Sequence, residues 1–173
     1  MAFIELEDGE GPNSSRAFAA RQAVFAAWQE LNGAIKEEGG DLRRYELATL
    51  AAARRLRSSY CCLAHGRVLA EQFYDFGAVA ALPDGLDEAD AAIMELADKV
   101  VVDATSVTGA DWDRLRALGL DDAQIMDVVL AAAARCFLSK TLDALGVQPD
   151  ASFQELDPAF RDAMTVGRPI AAG

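Results

Sequence analysis

Residues 121–146, DDAQIMDVVLAAAARCFLSKTLDALG, have the pattern of one long α-helix. Asp121 can cap its first turn, and Gly146 can end it in a left-handed conformation. Good helix formers lie between them, and the alternation of β-branched and polar residues that marks a strand is absent. The central run, residues 128–136, is apolar almost all round. We therefore expect it in the centre of a bundle or in a subunit interface.

The same helical pattern covers nearly all of the remaining chain. Asp41 is a candidate N-cap and Gly33 a candidate stop. The prediction is an all-α domain over residues 16–166, a helix bundle of about six to eight helices. Residues 1–15 are expected to form an N-terminal arm, and residues 167–173 a mobile C-terminal tail. Helices are predicted over residues 16–32, 42–57, 58–76, 87–104, 110–118, 122–145 and 157–165.

Composition and net charge argue against several kinds of partner and against a membrane protein. The chain has 173 residues, with 16 Lys and Arg against 28 Asp and Glu, which gives a net charge of −12. Such a charge repels a phosphate backbone and an anionic membrane surface, so neither nucleic acid nor a membrane is an expected partner. No apolar run approaches the ~20 residues of a membrane span, and the acidic start does not resemble a signal peptide. We therefore expect a cytoplasmic protein whose three cysteines stay reduced.

The segment that carries reactive side chains is residues 58–65, Ser-Ser-Tyr-Cys-Cys-Leu-Ala-His. It holds two of the three cysteines and the only histidine. On a helix, Cys61 and His65 are rotated by only about 40° from each other and share a face. With Ser58 as the N-cap, Cys61 lies in the first turn, where free N–H groups and the helix dipole favour an anion. A thiol placed there beside an imidazole is typical of an activated sulfur nucleophile.

Other residues near this segment have weaker assignments. Cys62 points about 100° away from the preceding cysteine, which favours a core position, and Cys136 lies in the apolar middle of the long helix. Tyr60 can offer a hydroxyl to a bound substrate. Arg57 and Arg67 either raise the local potential or face solvent. The chain has no second pair of Cys or His at zinc-binding spacing, so neither a metal nor a cofactor is expected.

Read with the preceding helix, the chain contains Glu46-x11-Ser58-x-x-Cys61-x3-His65. This spacing resembles the AhpD-like alkylhydroperoxidase core of the carboxymuconolactone decarboxylase superfamily, which carries Glu-x11-Cys-x-x-Cys-x3-His. All four fixed points match in spacing, and all but the first cysteine match in identity. A later block, residues 119–147, is similar to the subgroup called peroxidase-related proteins. The resemblance covers most of the chain.

The resemblance implies an AhpD-like all-helical fold that assembles into a homo-oligomer, a trimer or a hexamer. It also implies roles for three side chains. Cys61 takes the place of the cysteine that attacks the peroxide, and His65 that of the proton-relay histidine. Glu46 takes the place of the acid or base that completes the relay. The implied function is a thiol-dependent, peroxiredoxin-type peroxidase that reduces hydrogen peroxide or organic hydroperoxides.

The chain departs from the family pattern at Ser58, which replaces the first cysteine of the pair and cannot form its disulfide. A sulfenic acid on Cys61 must then be resolved by another group. Cys62 is a poor candidate because a vicinal disulfide is strained within a helix. Cys136 can serve only if the fold brings it close. An external thiol or a protein reductant is the simpler partner, which indicates a one-cysteine variant.

Two other functions remain open from the sequence. A lactone decarboxylase or isomerase of the same superfamily would use Glu46 and His65 as general acid and base, without redox chemistry. Alternatively, the chain is a non-catalytic helical oligomer that retains the motif for packing. A reactive thiol at Cys61 separates the peroxidase from both of these.

Overall fold

A computed structural model describes residues 2–7 and 9–172, and within these ranges the chain forms α-helices, short 3₁₀ helices and no strand. The all-α prediction is confirmed. These ranges hold nine α-helices, more than the predicted six to eight, because α1 and α5 have only four and six residues. The helices are α1 (Asn13–Arg16), α2 (Gln22–Gly39), α3 (Leu42–Arg55), α4 (Ser59–Gln72), α5 (Phe76–Ala81), α6 (Glu88–Asp103), α7 (Gly109–Ala117), α8 (Asp122–Ala144) and α9 (Pro158–Met164).

Helix α2 differs most from its prediction, which placed it at residues 16–32. The backbone of Arg21 is not helical (φ −144°, ψ 46°), so the helix begins later than expected. Gly33 does not end it, because a glycine inside a helix costs only about 1 kcal/mol relative to alanine. The helix ends instead before Gly40, which adopts the left-handed conformation (φ 64°). The turns beyond the predicted end include Lys36.

Helix α3 is the centre of the fold. It begins as predicted, because the Asp41 carboxylate accepts a hydrogen bond from the backbone N–H of Arg44. All residues from Tyr45 to Ala53 are buried, and the helix packs against α4, α6 and α8. Four of these positions are alanines, whose small side chains let the neighbouring helices come close. A carboxylate in this segment, that of Glu46, is therefore surrounded by protein.

Helix α4 begins where predicted, at Ser59, but ends at Gln72 and not near residue 76. The reason is a new cap: the Asp75 carboxylate accepts a hydrogen bond from Ala78 N–H and starts α5. The turn before α4 contains Arg57 with φ 57°, which is unusual for a residue that is not glycine. This turn positions the first turn of α4 next to α3.

Helix α8 is the longest, as predicted, and Asp121 caps it. The expected burial of residues 128–136 holds for one face only. Ala132 and Arg135 are buried, whereas Leu130 is exposed. The helix therefore has one face in the core and one apolar face on the surface.

Residues close to each end of the chain are hydrogen-bonded to the helical domain. The N–H of Phe3 donates to the carbonyl of Leu145 at 2.8 Å, and the N–H of Gly167 donates to Ser59 Oγ at 2.8 Å. Gly167 has no room for a side chain, because a Cβ there would collide with the carbonyl oxygen of Arg57. The tail that was expected to be mobile is thus held over the first turn of α4.

Candidate active site

Cys61 occupies the third position of α4, in the first turn, as the sequence predicts. The residue is only 1% exposed. Its Sγ lies 3.7 Å from Nη1 of Arg135, which comes from the buried face of α8. Within the described residues, no hydrogen bond joins the Cys61 thiol directly to His65 one turn further along. The recorded polar contact of the thiol is therefore with a cation and not with the imidazole.

His65 is held by Glu46 across the α3–α4 contact. The His65 Nδ1 and Glu46 Oε2 atoms are 2.5 Å apart, and Lys36 Nζ lies 3.7 Å from the other carboxylate oxygen. Burial and the positive charge of Arg135 lower the pKa of His65, and they outweigh the opposite effect of Glu46. The imidazole is therefore neutral at pH 7. With Nδ1–H assigned to the carboxylate, Nε2 keeps a lone pair that can accept a proton.

Arg135 is 2% exposed and is held by polar and aromatic neighbours. Its Nη2 donates to Asn32 Oδ1 at 3.4 Å, and the same oxygen accepts the Tyr45 hydroxyl at 2.7 Å. The guanidinium carbon lies 5.6 Å from the ring centroid of Trp28, a cation–π distance. Within the described residues, no carboxylate forms an ion pair with this guanidinium.

The Ser58 hydroxyl makes no hydrogen bond within this cluster. Ser58 is the N-cap residue of α4, but its side chain makes no capping hydrogen bond. The hydroxyl is fully buried and faces the Asp143 carboxyl without reaching ordinary hydrogen-bond geometry. Burial raises the pKa of Asp143, and Ser58 and Arg168 offset this only in part. The Ser58 side chain thus makes no hydrogen bond to the other three predicted site residues.

Cys62 belongs to the same side of α4 as Ser58, one turn further along, and it has no exposed surface. Burial raises the pKa of Cys62 well above the ordinary range of a thiol. The adjacent Cys61 and the carboxyl of Asp143 add to this effect, and the guanidinium of Arg54 partly offsets it. Cys62 is therefore an un-ionised core residue, as its direction on the helix predicts.

Tyr60 does not offer its hydroxyl to the thiol. Its hydroxyl donates to Asp150 Oδ2 at 2.5 Å and accepts the N–H of Ser14 at 3.3 Å. Burial and the bond to Asp150 raise the pKa of Tyr60. Tyr60 instead fastens the N-terminal segment to α4.

The remaining candidates lie outside the cluster. Arg57 is exposed, and Arg67 forms an exposed ion pair with Glu71 on the next turn of α4. Cys136 is half-buried on α8 and forms no disulfide with a described cysteine. The cation that reaches Cys61 is therefore neither of the two arginines that flank the motif.

Arg135 is the residue of the candidate site that the sequence did not predict. One signal for it was present: it is the single charged side chain in the apolar run of residues 128–136. A charge on the buried face of a helix needs a polar partner inside the protein. The identity of that partner, 74 residues earlier in the chain, depends on the fold.

Within residues 2–7 and 9–172, no three His, Cys, Asp or Glu side chains are grouped so that they could hold a metal ion. In the same part of the chain, no helix has the length and apolar character that a membrane crossing requires.

Known structures provide the comparison, since no family model matches the sequence and no curated protein matches it. The fold resembles the crystal structure of an alkylhydroperoxidase AhpD core, an uncharacterized peroxidase-related protein from Ralstonia eutropha. That likeness has a TM-score of 0.72 and 25% identity, and it covers 82% of this chain and 78% of that one. An uncharacterized peroxidase-related protein from a Silicibacter species has the same TM-score at 19% identity, with 83% and 79% covered. The motif and the fold agree: the chain has the AhpD-like helical fold, and it is similar to proteins of the peroxidase-related group.

Proposed function

We propose that the protein is a thiol-dependent peroxidase that reduces hydrogen peroxide or organic hydroperoxides with Cys61 as the nucleophile. The observation that carries the proposal is that Cys61 lies in the first turn of α4, one turn from the hydrogen-bonded pair of His65 and Glu46. A first-turn position favours the thiolate. A neutral imidazole oriented by a carboxylate is suited to carry a proton. The likeness to an AhpD core supports the same class.

The first step oxidises the sulfur and reduces the peroxide. The Cys61 thiolate attacks one peroxide oxygen, so that an S–O bond forms while the O–O bond breaks, and sulfenic acid remains on the protein. The displaced oxygen needs one proton to leave as an alcohol or as water. His65 takes the proton that the thiol loses and gives it to that oxygen, while Glu46 holds the ring by Nδ1.

The second step regenerates the thiol with an external reductant. A thiol of low molecular weight, or a cysteine of a partner protein, attacks the sulfenic acid, and a mixed disulfide and water form. A second thiol then releases Cys61 and leaves as the oxidised disulfide. Ser58 cannot act as the resolving thiol, because it has no sulfur. Cys62 is buried and adjacent to Cys61, and a disulfide between neighbouring residues of a helix is strained. The proposed cycle therefore uses one cysteine of this chain.

The test is peroxide consumption with a small dithiol as reductant. The wild-type protein should turn over, Cys61→Ser should fall to the uncatalysed rate, and the matched control Cys136→Ser should keep its activity. Turnover by Cys61→Ser equal to that of the wild type would contradict the proposal.

A lactone decarboxylase or isomerase is the second candidate, because the contact between His65 and Glu46 does not involve the thiol. Such an enzyme would process a small lactone acid in Cys61→Ser and lose that activity in His65→Gln. The same two variants therefore discriminate the functions: a peroxidase needs both residues, and the lactone enzyme needs only the histidine.

We also propose that the protein forms a homo-oligomer through the exposed apolar faces of α2 and α8. A groove of about 490 Å³ lies between them and includes Trp28 and Ala134. Contiguous apolar surface of this kind marks an interaction site, and a second copy presents the same surface in return. Leu130→Glu should reduce the mass measured by light scattering, and an unchanged mass would count against this interface. Four large side chains along the groove are 38% to 54% exposed: Val24, Leu31, Leu130 and Phe137.

A further inference from the structure

Arg135 is a buried cation, and no carboxylate among residues 2–7 and 9–172 forms an ion pair with it. Arginine stays protonated in proteins, and a buried charge without compensation is strongly unfavourable. The groups that touch the Arg135 guanidinium are the amide oxygen of Asn32, the face of Trp28 and the sulfur of Cys61. Of these three, only the sulfur can become an anion.

The other charges in the cluster are already matched. Lys36 lies 3.7 Å from Glu46, and Glu46 also accepts from a neutral His65. Among the described residues of the cluster, the guanidinium of Arg135 is thus the cation without a carboxylate partner. The titratable and charged groups around Cys61 come from four helices: Lys36 from α2, Glu46 from α3, His65 and Cys62 from α4, and Arg135 from α8.

We propose that Arg135 is a catalytic residue whose guanidinium pairs with the Cys61 thiolate and keeps the sulfur ionised inside the protein. The inference deepens the proposed function, because it relies on Cys61 as the reactive thiol. Asn32 is a positioning residue in this account. It fixes one Nη atom of Arg135 and is itself fixed by the Tyr45 hydroxyl, so the other Nη atom stays on the sulfur.

The test is the pH dependence of iodoacetamide alkylation at Cys61, followed by peptide mass spectrometry. The pH of half-maximal rate in Arg135→Met should rise by about one unit or more relative to the wild type, which lowers the rate at pH 7 about tenfold. Arg67→Met is the matched control on α4, because that arginine pairs with Glu71 and does not reach the sulfur. It should leave the profile unchanged.

Two results would overturn the inference. One is a folded Arg135→Met protein, judged by circular dichroism, whose profile equals that of the wild type. The other needs no variant: a wild-type profile with its midpoint at the ~8.5 of an ordinary thiol. The wild-type measurement decides the matter if Arg135→Met does not fold. Either profile can be obtained whether or not the protein consumes peroxide, so failure of this inference is distinct from failure of the proposed function.

Discussion

Helix α4 presents two side-chain pairs of the same spacing to two different surroundings. Cys61 and His65 face a cluster that contains a buried guanidinium and a carboxylate bonded to the imidazole. Ser58 and Cys62 face the half-buried carboxyl of Asp143, near the first turn of α4, to which the C-terminal tail is hydrogen-bonded. The first face places a cation beside the sulfur, and the second disfavours a thiolate.

The difference shows that two adjacent, equally buried cysteines can have different surroundings, from which we expect different reactivity. Neither Cys61 nor Cys62 has appreciable exposed surface, so accessibility does not distinguish them. What differs is the contact: Arg135 Nη1 lies 3.7 Å from the Cys61 sulfur, whereas burial raises the pKa of Cys62 and the guanidinium of Arg54 offsets this only in part.

Among the changes that leave Cys61 in place, removal of His65, the proposed proton carrier of the first face, should lower the rate of the peroxide reaction most. His65→Gln should lower the rate of the peroxide reaction about 100-fold or more, because general acid–base catalysis contributes on that scale. Stopped-flow measurement of peroxide consumption provides the rate. The matched change on the second face, Asp143→Asn, should leave it unchanged. Equal losses in the two variants would remove the functional distinction between the faces.

A second experiment tests whether a disulfide can join position 58 of the second face to Cys61 of the first. Ser58→Cys restores the Cys-x-x-Cys spacing, with one cysteine at the N-cap and Cys61 at the third helical position. After one equivalent of peroxide, we expect a disulfide between position 58 and Cys61, because N-cap and third-position side chains approach each other. Non-reducing peptide mapping would detect it, and trapping of sulfenic acid should fall about tenfold. Persistent sulfenic acid in this variant would show that the tail keeps the two positions apart.

The partly buried imidazole of His65 also makes stability depend on pH. The pKa of His65 lies below the unfolded value of 6.5, so the unfolded chain binds more protons as the pH falls through that value. Stability from this residue is complete above pH 6.5 and is lost below it. Between pH 7 and about pH 5, the wild type should lose about 1 kcal/mol more than His65→Gln, measured by urea unfolding. Parallel pH profiles would mean that His65 is protonated in the folded protein.

The smallest expected effect is on the second face. The pKa of Asp143 is raised by burial, so this carboxyl contributes stability below its unfolded value of 3.8 and loses it as the pH rises. Asp143→Asn should therefore increase the free energy of unfolding by about 0.5–1 kcal/mol at pH 7. No gain should remain near pH 3.5. A loss at pH 7 would indicate that the pairing with Arg168 outweighs the burial.

Much of the fold was predictable because its signals are local. The caps at Asp41 and Asp121 depend on a side chain and the backbone N–H three residues later, so they can be read from the sequence. The end of α2 could not be read in the same way. Gly33 and Gly40 are alike as sequence signals, and only packing of α2 against α3 and α8 decides which one ends the helix.

The contacts of the candidate site are also of two kinds, local ones that the sequence predicts and long-range ones that it does not. The relation of Cys61 to His65 follows from helical spacing, and their relation to Glu46 follows from the family motif. The contact with Arg135 is made by residues 74 positions apart and exists only in the folded chain. The position of Ser58 is a further tertiary effect, since its side chain turns to Asp143 and does not cap α4.

The most direct test of the account is to identify the cysteine that peroxide oxidises first. The wild-type protein would receive less than one equivalent of hydrogen peroxide in the presence of dimedone, and all three cysteine peptides would then be quantified by mass spectrometry. Dimedone should modify Cys61 well before it modifies either Cys62 or Cys136. Slow and equal modification of all three, or earlier modification of Cys62 or Cys136, would contradict it.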